Sequence, residues 1–187
     1  MPNSSKLARN TRINRRIHKW LSLPFVAFML IIGVTGLLLA WKKEVKLIPK
    51  TQKTKVEQLG EWISLEEMIA VSQRIMSDSL GKSTLIDRVD VRPEKGIAKV
   101  IFKHHFTEIQ LDGYTGEVLS IAQRNSDLIE KIHDGSIVDF LLQSYNENSK
   151  ILYSTLTSLA LIGFSVSGFY LWYYPKKIKQ AKFKRVE

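Results

Sequence analysis

Cysteine is absent from this chain, so disulfides, iron–sulfur clusters and thiolate metal sites are excluded in any compartment. Histidine is scarce, with only His18, His104, His105 and His133. There is no H-E-x-x-H, no glycine-rich phosphate loop and no nucleophile motif, so the common hydrolase and nucleotide-binding chemistries lack their residues. Acid is missing from the ends. Residues 1–41 hold no Asp or Glu, and only Glu187 follows Tyr174.

What is present at the ends is base. Lys6, Arg9, Arg12, Arg15, Arg16 and Lys19 lie in the first 41 residues; Lys176, Lys177, Lys179, Lys182, Lys184 and Arg185 follow Tyr174. The two ends together carry +11 of a formal net charge of +10. Residues 42–150 hold 16 basic and 17 acidic residues and are close to neutral. A nucleic-acid binder would carry its charge on a folded domain, so this distribution argues against nucleic acid as a partner.

The basic ends flank two uncharged runs, Trp20–Trp41 and Ile151–Tyr174, of 22 and 24 residues. About 20 apolar residues suffice to cross a bilayer core. Aromatics that suit the headgroup layer close both runs, Trp20 and Trp41 on the first and Trp172, Tyr173 and Tyr174 on the second. The first run exceeds the apolar core of a cleaved signal peptide, and no A-x-A-like site follows it. Pro24 is expected in the first turns of the first helix, where proline is best tolerated. Lys and Arg on both outer flanks predict cytoplasmic termini and a multi-pass protein of a bacterial cytoplasmic (inner) membrane. The expected segments are a basic N-tail 1–19, transmembrane helix 20–41, tether 42–60, folded domain 61–122, amphipathic interfacial segment 123–150, transmembrane helix 151–174 and basic tail 175–187. Small residues, Gly33, Gly36 and Ala40 on one helix and Ser154, Ser158, Ser165 and Gly168 on the other, predict a contact stripe that serves either the helix pair or a homodimer. A short echo, Gly33-Val-Thr-Gly36 against Ser165-Val-Ser-Gly168, runs in opposite directions across the membrane.

Between the helices, Ser64 and Glu67 form a capping box, followed by apolar residues at helical spacing from Leu65 to Met76 and a stop at Gly81. Strand signals follow at Leu85–Val91, Ile97–Lys103, Phe106–Leu111 and Glu117–Ile121, with a turn at Asp112–Gly116. The fold class expected is membrane α plus a small α+β domain, one helix on an antiparallel sheet.

The stretch WISLEEMIAVSQRIM, with the later EIQLDGYTGEVLSI, resembles a PepSY domain; Asp112, Thr115, Gly116, Glu117 and Val118 match its D-x-x-T-G-E-V turn and strand. Arg16-Ile17-His18-Lys19-Trp20, Thr35-Gly36-Leu37, His133-Asp134-Gly135 and Ser167-Gly168-Phe169-Tyr170-Leu171-Trp172 are similar to the PepSY-associated transmembrane family, over roughly residues 12–177. Larger members of that family are membrane ferric-siderophore reductases with haem b held by histidines. The resemblance therefore implies a haem-b electron-transfer or accessory component of iron acquisition, with a ferric siderophore as substrate. His18 and His133 are the candidate haem-iron ligands, and Arg15 or Arg16 the candidate partners of a propionate. The bland alternatives are an interfacial basic anchor for His18 and a capping histidine before Gly135 for His133; Asp134 is a candidate for tuning a ligand. The adjacent His104 and His105 make a poor chelate, since strand neighbours face opposite ways.

The helix length separates His18 from His133, so bis-histidine ligation needs a homodimer or a partner membrane subunit. Two helices are fewer than the reductase members have, which leaves open whether the chain is an enzyme, as a haem-dependent ferric reductase subunit. The alternative function is a non-enzymatic membrane-anchored PepSY module that binds or regulates an extracytoplasmic protein or peptidase.

Overall fold

A computed structural model describes residues 4–56, 60–144, 146 and 148–183. The end of the basic tail, residues 184–187, lies outside the described residues. The chain forms two units, one from residues before Leu37 and after Glu130, the other from Leu37–Glu130.

In the first unit, α1 (Ser4–Ala40) and α5 (Asn148–Phe183) are the long elements. Both are long and apolar enough to cross a membrane, and almost none of either span is covered by the protein itself, unlike the core helix of a soluble domain. Each runs beyond its apolar stretch into the basic flank. Pro24 therefore sits inside α1 rather than in its first turns. The uncharged stretch marks the membrane-compatible length, but the arginine-rich approach has good helix formers and starts the helix at Ser4.

The two helices meet through rings: Phe25 packs edge-on to Phe164 and Phe28 edge-on to Tyr153, with centroids 5.9 and 6.0 Å apart. Of the expected small-residue stripe, only Gly36 and Gly168 face a neighbouring ring, those of His133 and His18. Ser154, Ser158 and Ser165 are exposed, and Gly33 has open space beside it. Before α5 come the ends of α3 (Asn125–Asp134) and α4 (Ile137–Leu141). Gly135, at φ 80°, lies so close to the Tyr153 ring that a Cβ there would come within 2.5 Å of it.

In the second unit, the Ser64 hydroxyl accepts from the Glu67 amide and starts α2 (Leu65–Arg74), which ends in a π turn at Ile75–Ser79. Four strands follow: β1 (Ile86–Arg92), β2 (Ile97–Phe102), β3 (Thr107–Asp112) and β4 (Val118–Gln123). They pair antiparallel in the order β1-β2-β3-β4. Ala98, Val100, Phe102, Ile109 and Leu111 on one sheet face bury against Met68 and Met76, with Trp62, Ile63 and Val71 around them. Each of the Val, Ile, Leu, Phe and Met side chains among them contributes on the order of 1.5–3 kcal/mol on burial.

The opposite face is also covered, which the alternation alone does not predict. Lys99, Glu108, Gln110 and Asp112 lie on it and are buried. The segment expected as a tether covers them as a strap. The Gln52 amide donates to Gln110 at 2.8 Å, Lys99 donates to Thr51 at 3.0 Å and Thr54 donates to Asp112 at 2.6 Å. The Lys- and Thr-rich strap supplies the donors and acceptors that a buried polar sheet face requires.

Candidate functional site

The helical unit brings together the residues that the sequence singles out. His18 occupies the face of α1 that meets α5. Its ring packs edge-on to Phe164 at 5.9 Å, and its Nδ1 lies 2.7 Å from Oγ of Ser167. His133, at the end of α3, places its Nδ1 2.9 Å from Oγ1 of Thr35 on α1. Both imidazoles are half-buried, and Thr35 is buried.

The direction of these bonds follows from the hydroxyls. Thr35 Oγ1 lies 2.6 Å from the Ile31 carbonyl, and Ser167 Oγ lies 2.7 Å from the Gly163 carbonyl. A carbonyl oxygen has no proton, so each hydroxyl must donate its single proton to the helix backbone, in the i−4 pattern. The hydroxyl oxygen is then free only to accept. Nδ1 of each histidine must carry the proton, and in the neutral imidazole Nε2 carries the lone pair. Neither Nε2 has a hydrogen-bond partner among the described residues.

A glycine follows each hydroxyl residue. A Cβ at Gly36 would sit 3.3 Å from Cε1 and 3.8 Å from Nδ1 of His133; one at Gly168 would sit 4.0 Å from Cε1 of His18. Thr35 lies seventeen residues beyond His18 on α1, so the His18 and His133 levels are separated by about 26 Å of helix rise. The two imidazoles cannot share one metal ion. His133 also engages α1 inside its apolar span, six residues before Trp41, rather than at the rim expected of an interfacial segment.

The other named residues divide by position. Arg15 and Arg16 are both exposed on α1. Arg15 is three residues from His18 and shares its face; Arg16, two residues away, does not. Asp134 does not touch His133 Nδ1. Its carboxylate accepts from the Ser136 amide at 2.9 Å and pairs with Lys150 at 3.6 Å. His105 belongs to the turn between β2 and β3, where it bonds Thr107 and the Ser83 carbonyl and stacks on Phe102. Among the described residues, no group of three or more His, Asp or Glu side chains is placed to hold a metal ion.

In the sheet-bearing unit, Asp112 builds the turn that carries the PepSY-like motif. It accepts from the Tyr114 and Thr115 amides at 3.0 and 3.3 Å, while Gly116 at φ 71° closes the turn. Burial alone would raise its pKa, but the bonds from Thr54 and these amides outweigh burial and hold it below the usual carboxylate range. Glu108, buried, bonds Lys99 at 3.4 Å and Arg124, and Arg124 in turn holds Asp127 at 3.0 Å. Asp127, despite burial, is kept below its ordinary range by Arg124, Ser126 and Arg88. Every member of this group has a protein partner, which marks it as structural.

Thr35 and Ser167, which bond the two histidines, are residues to which sequence reasoning assigned no role. Their signal was the inverted echo, whose hydroxyl positions they occupy. Comparison with curated proteins gives no match. The family model for the PepSY-associated TM region matches residues 15–187. That span takes in both long helices, both clamped histidines and the Asp112 turn, and the chain belongs to the PepSY-associated TM region family.

Proposed function

We propose that the chain is a haem-b-binding membrane protein that carries electrons, or assists a partner that does, in the acquisition of ferric iron. The single observation that supports this most is the pair of imidazoles, each with Nδ1–H donated to a hydroxyl and Nε2 left with its lone pair. Metal-bound histidines are held in this way, by a hydrogen bond from the nitrogen that does not bind the metal. The donor chemistry therefore fits haem iron, and His18 and His133 are the residues that would hold it. Haem b would supply one-electron chemistry between ferric and ferrous iron.

The chain's own residues orient the two imidazoles at levels about 26 Å apart and exclude water with Phe25, Phe28, Phe164 and Tyr153. Arg15, on the His18 face, is the better placed of the two arginines to pair with a carboxylate there. Each level offers one histidine. A second copy of the chain or a partner subunit would supply a further histidine at each level in this reading. The basic flanks of α1 and α5 favour a topology with both termini in the cytoplasm of a bacterial cell and the sheet-bearing domain between the helices outside its inner membrane, where a ferric siderophore or a partner protein would dock.

Purification of the full chain from haem-supplemented cells tests this. A b-type visible spectrum is expected, reduced by about half in His18→Ala and in His133→Ala and lost in the double variant. A colourless wild-type protein would overturn the reading and favour a non-enzymatic anchored PepSY module.

A further inference from the structure

The two membrane-compatible helices carry one device twice. Small–Val–hydroxyl–Gly occurs as Gly33-Val-Thr35-Gly36 on α1 and as Ser165-Val-Ser167-Gly168 on α5. Sequence likeness between apolar helices is common and means little by itself. Here the matched positions do the same thing. In both copies the hydroxyl donates back to the carbonyl four residues earlier, accepts from a histidine Nδ1, and is followed by a glycine facing that histidine's Cε1. The histidine always comes from a different element: His133 of α3 for Thr35, His18 of α1 for Ser167.

We propose that Thr35 and Ser167 are paired positioning residues that lock His133 and His18 in the Nδ1–H tautomer, leaving Nε2 as the ligand atom at both levels. This rests on the haem reading only for the identity of the ligand; the lock itself is a property of the imidazoles. Each ring is half-buried against the helix that carries its hydroxyl, so removing the hydroxyl leaves the Nδ1–H without its protein acceptor. The ring can then rotate or move its proton to Nε2, and either change removes the lone pair from its place. Gly36 and Gly168 keep the ring edge close enough for the bond to form.

The test uses the full chain in lipid nanodiscs, free of haem, with ring-15N histidine, at about pH 8, above the ordinary imidazole range. Both His18 and His133, identified by His18→Ala and His133→Ala, are expected to show a protonated Nδ1 and an unprotonated Nε2. Thr35→Val should abolish that pattern for His133 and leave His18 as it was, which also shows that the helix pair has formed. Ser167→Ala should do the reverse. Thr35→Ser and Ser167→Thr should restore it. Wild-type imidazoles protonated at Nε2, or a His133 unaltered by Thr35→Val, would overturn the proposal.

Haem titrated into the same proteins gives the second readout: Thr35→Val and Ser167→Ala should each weaken uptake at one site by about 10–100-fold. The expected tautomers in a chain that takes up no haem would support the lock and sink the haem reading. Haem uptake indifferent to both substitutions would sink the positioning role and leave the haem reading in place.

Discussion

At the scale of single residues, two buried polar groups of the sheet-bearing unit make opposite demands. Glu108 is 1% exposed and lies between Lys99 and Arg124, so its charge is matched on both sides. Glu108→Gln would take from buried Lys99 the carboxylate it pairs with and leave Arg124 with Asp127 alone, and should cost about 3–5 kcal/mol. Ser72 is fully buried and its hydroxyl has no hydrogen-bond partner. Removing an unsatisfied buried hydroxyl relieves a desolvation penalty, so Ser72→Ala should be neutral or stabilising by up to about 1–3 kcal/mol. Urea unfolding of the detergent-solubilised chain, followed by Trp62 fluorescence, distinguishes the two. Equal losses in both variants would contradict the assignment. Neither effect was legible from residue type. Ser72 reads as part of an apolar helix face and Glu108 as an ordinary strand carboxylate; only the packing shows which of them found a partner.

At the scale of elements, the strap is the main departure from expectation. Residues 42–60 are polar and lysine-rich, which in a sequence is the signature of a solvated linker. Residues 50–56 instead run along a sheet face made polar by Lys99, Glu108, Gln110 and Asp112. The strap was not legible because its polarity complements that of the face it covers, and complementarity between segments about 58 residues apart leaves no local period. Thr54 is its firmest anchor: its hydroxyl donates to Asp112, and its amide donates to the Lys95 carbonyl at 2.9 Å. Thr54→Val keeps the shape and removes the hydroxyl, and should cost about 1.5–3 kcal/mol, the range for a bond to a charged group. Amide exchange should accelerate across residues 50–56 and the Asp112 turn while α2 keeps its protection. Unchanged exchange in the strap would show that the bond does not hold it. The strands themselves were legible to within one or two residues, because β3 alternates cleanly, Ala98, Val100 and Phe102 share one face of β2, and Pro93, Gly96 and Gly116 mark their ends.

At the scale of the molecule, acid should act first on the unit Leu37–Glu130. Asp112 and Asp127 both have folded pKa values held below the ordinary value near 3.9. A carboxylate depressed by folding contributes its full stabilisation above the unfolded value and loses it as pH falls through the folded one. The sheet should therefore hold at neutral pH and weaken below about pH 4. Circular dichroism of the full chain should show strand signal lost in acid while the signal of α1 and α5 persists, since those spans hold no carboxylate that depends on ionisation. Loss of helix before strand would contradict this order.

By itself the sequence determined that this is a membrane protein with two long apolar helices around a small α+β domain, and it pointed to His18 and His133. Those features are local: uncharged length, flanking charge, a capping box, strand alternation and short motifs can each be read within a few residues. What holds the histidines was decided only by tertiary structure. Thr35 lies 98 residues from His133, and Ser167 lies 149 residues from His18. A hydroxyl inside an apolar helix reads as a residue bonding its own backbone, which both do. That this leaves the oxygen able only to accept, and that an imidazole stands in reach of it, follows from packing between elements.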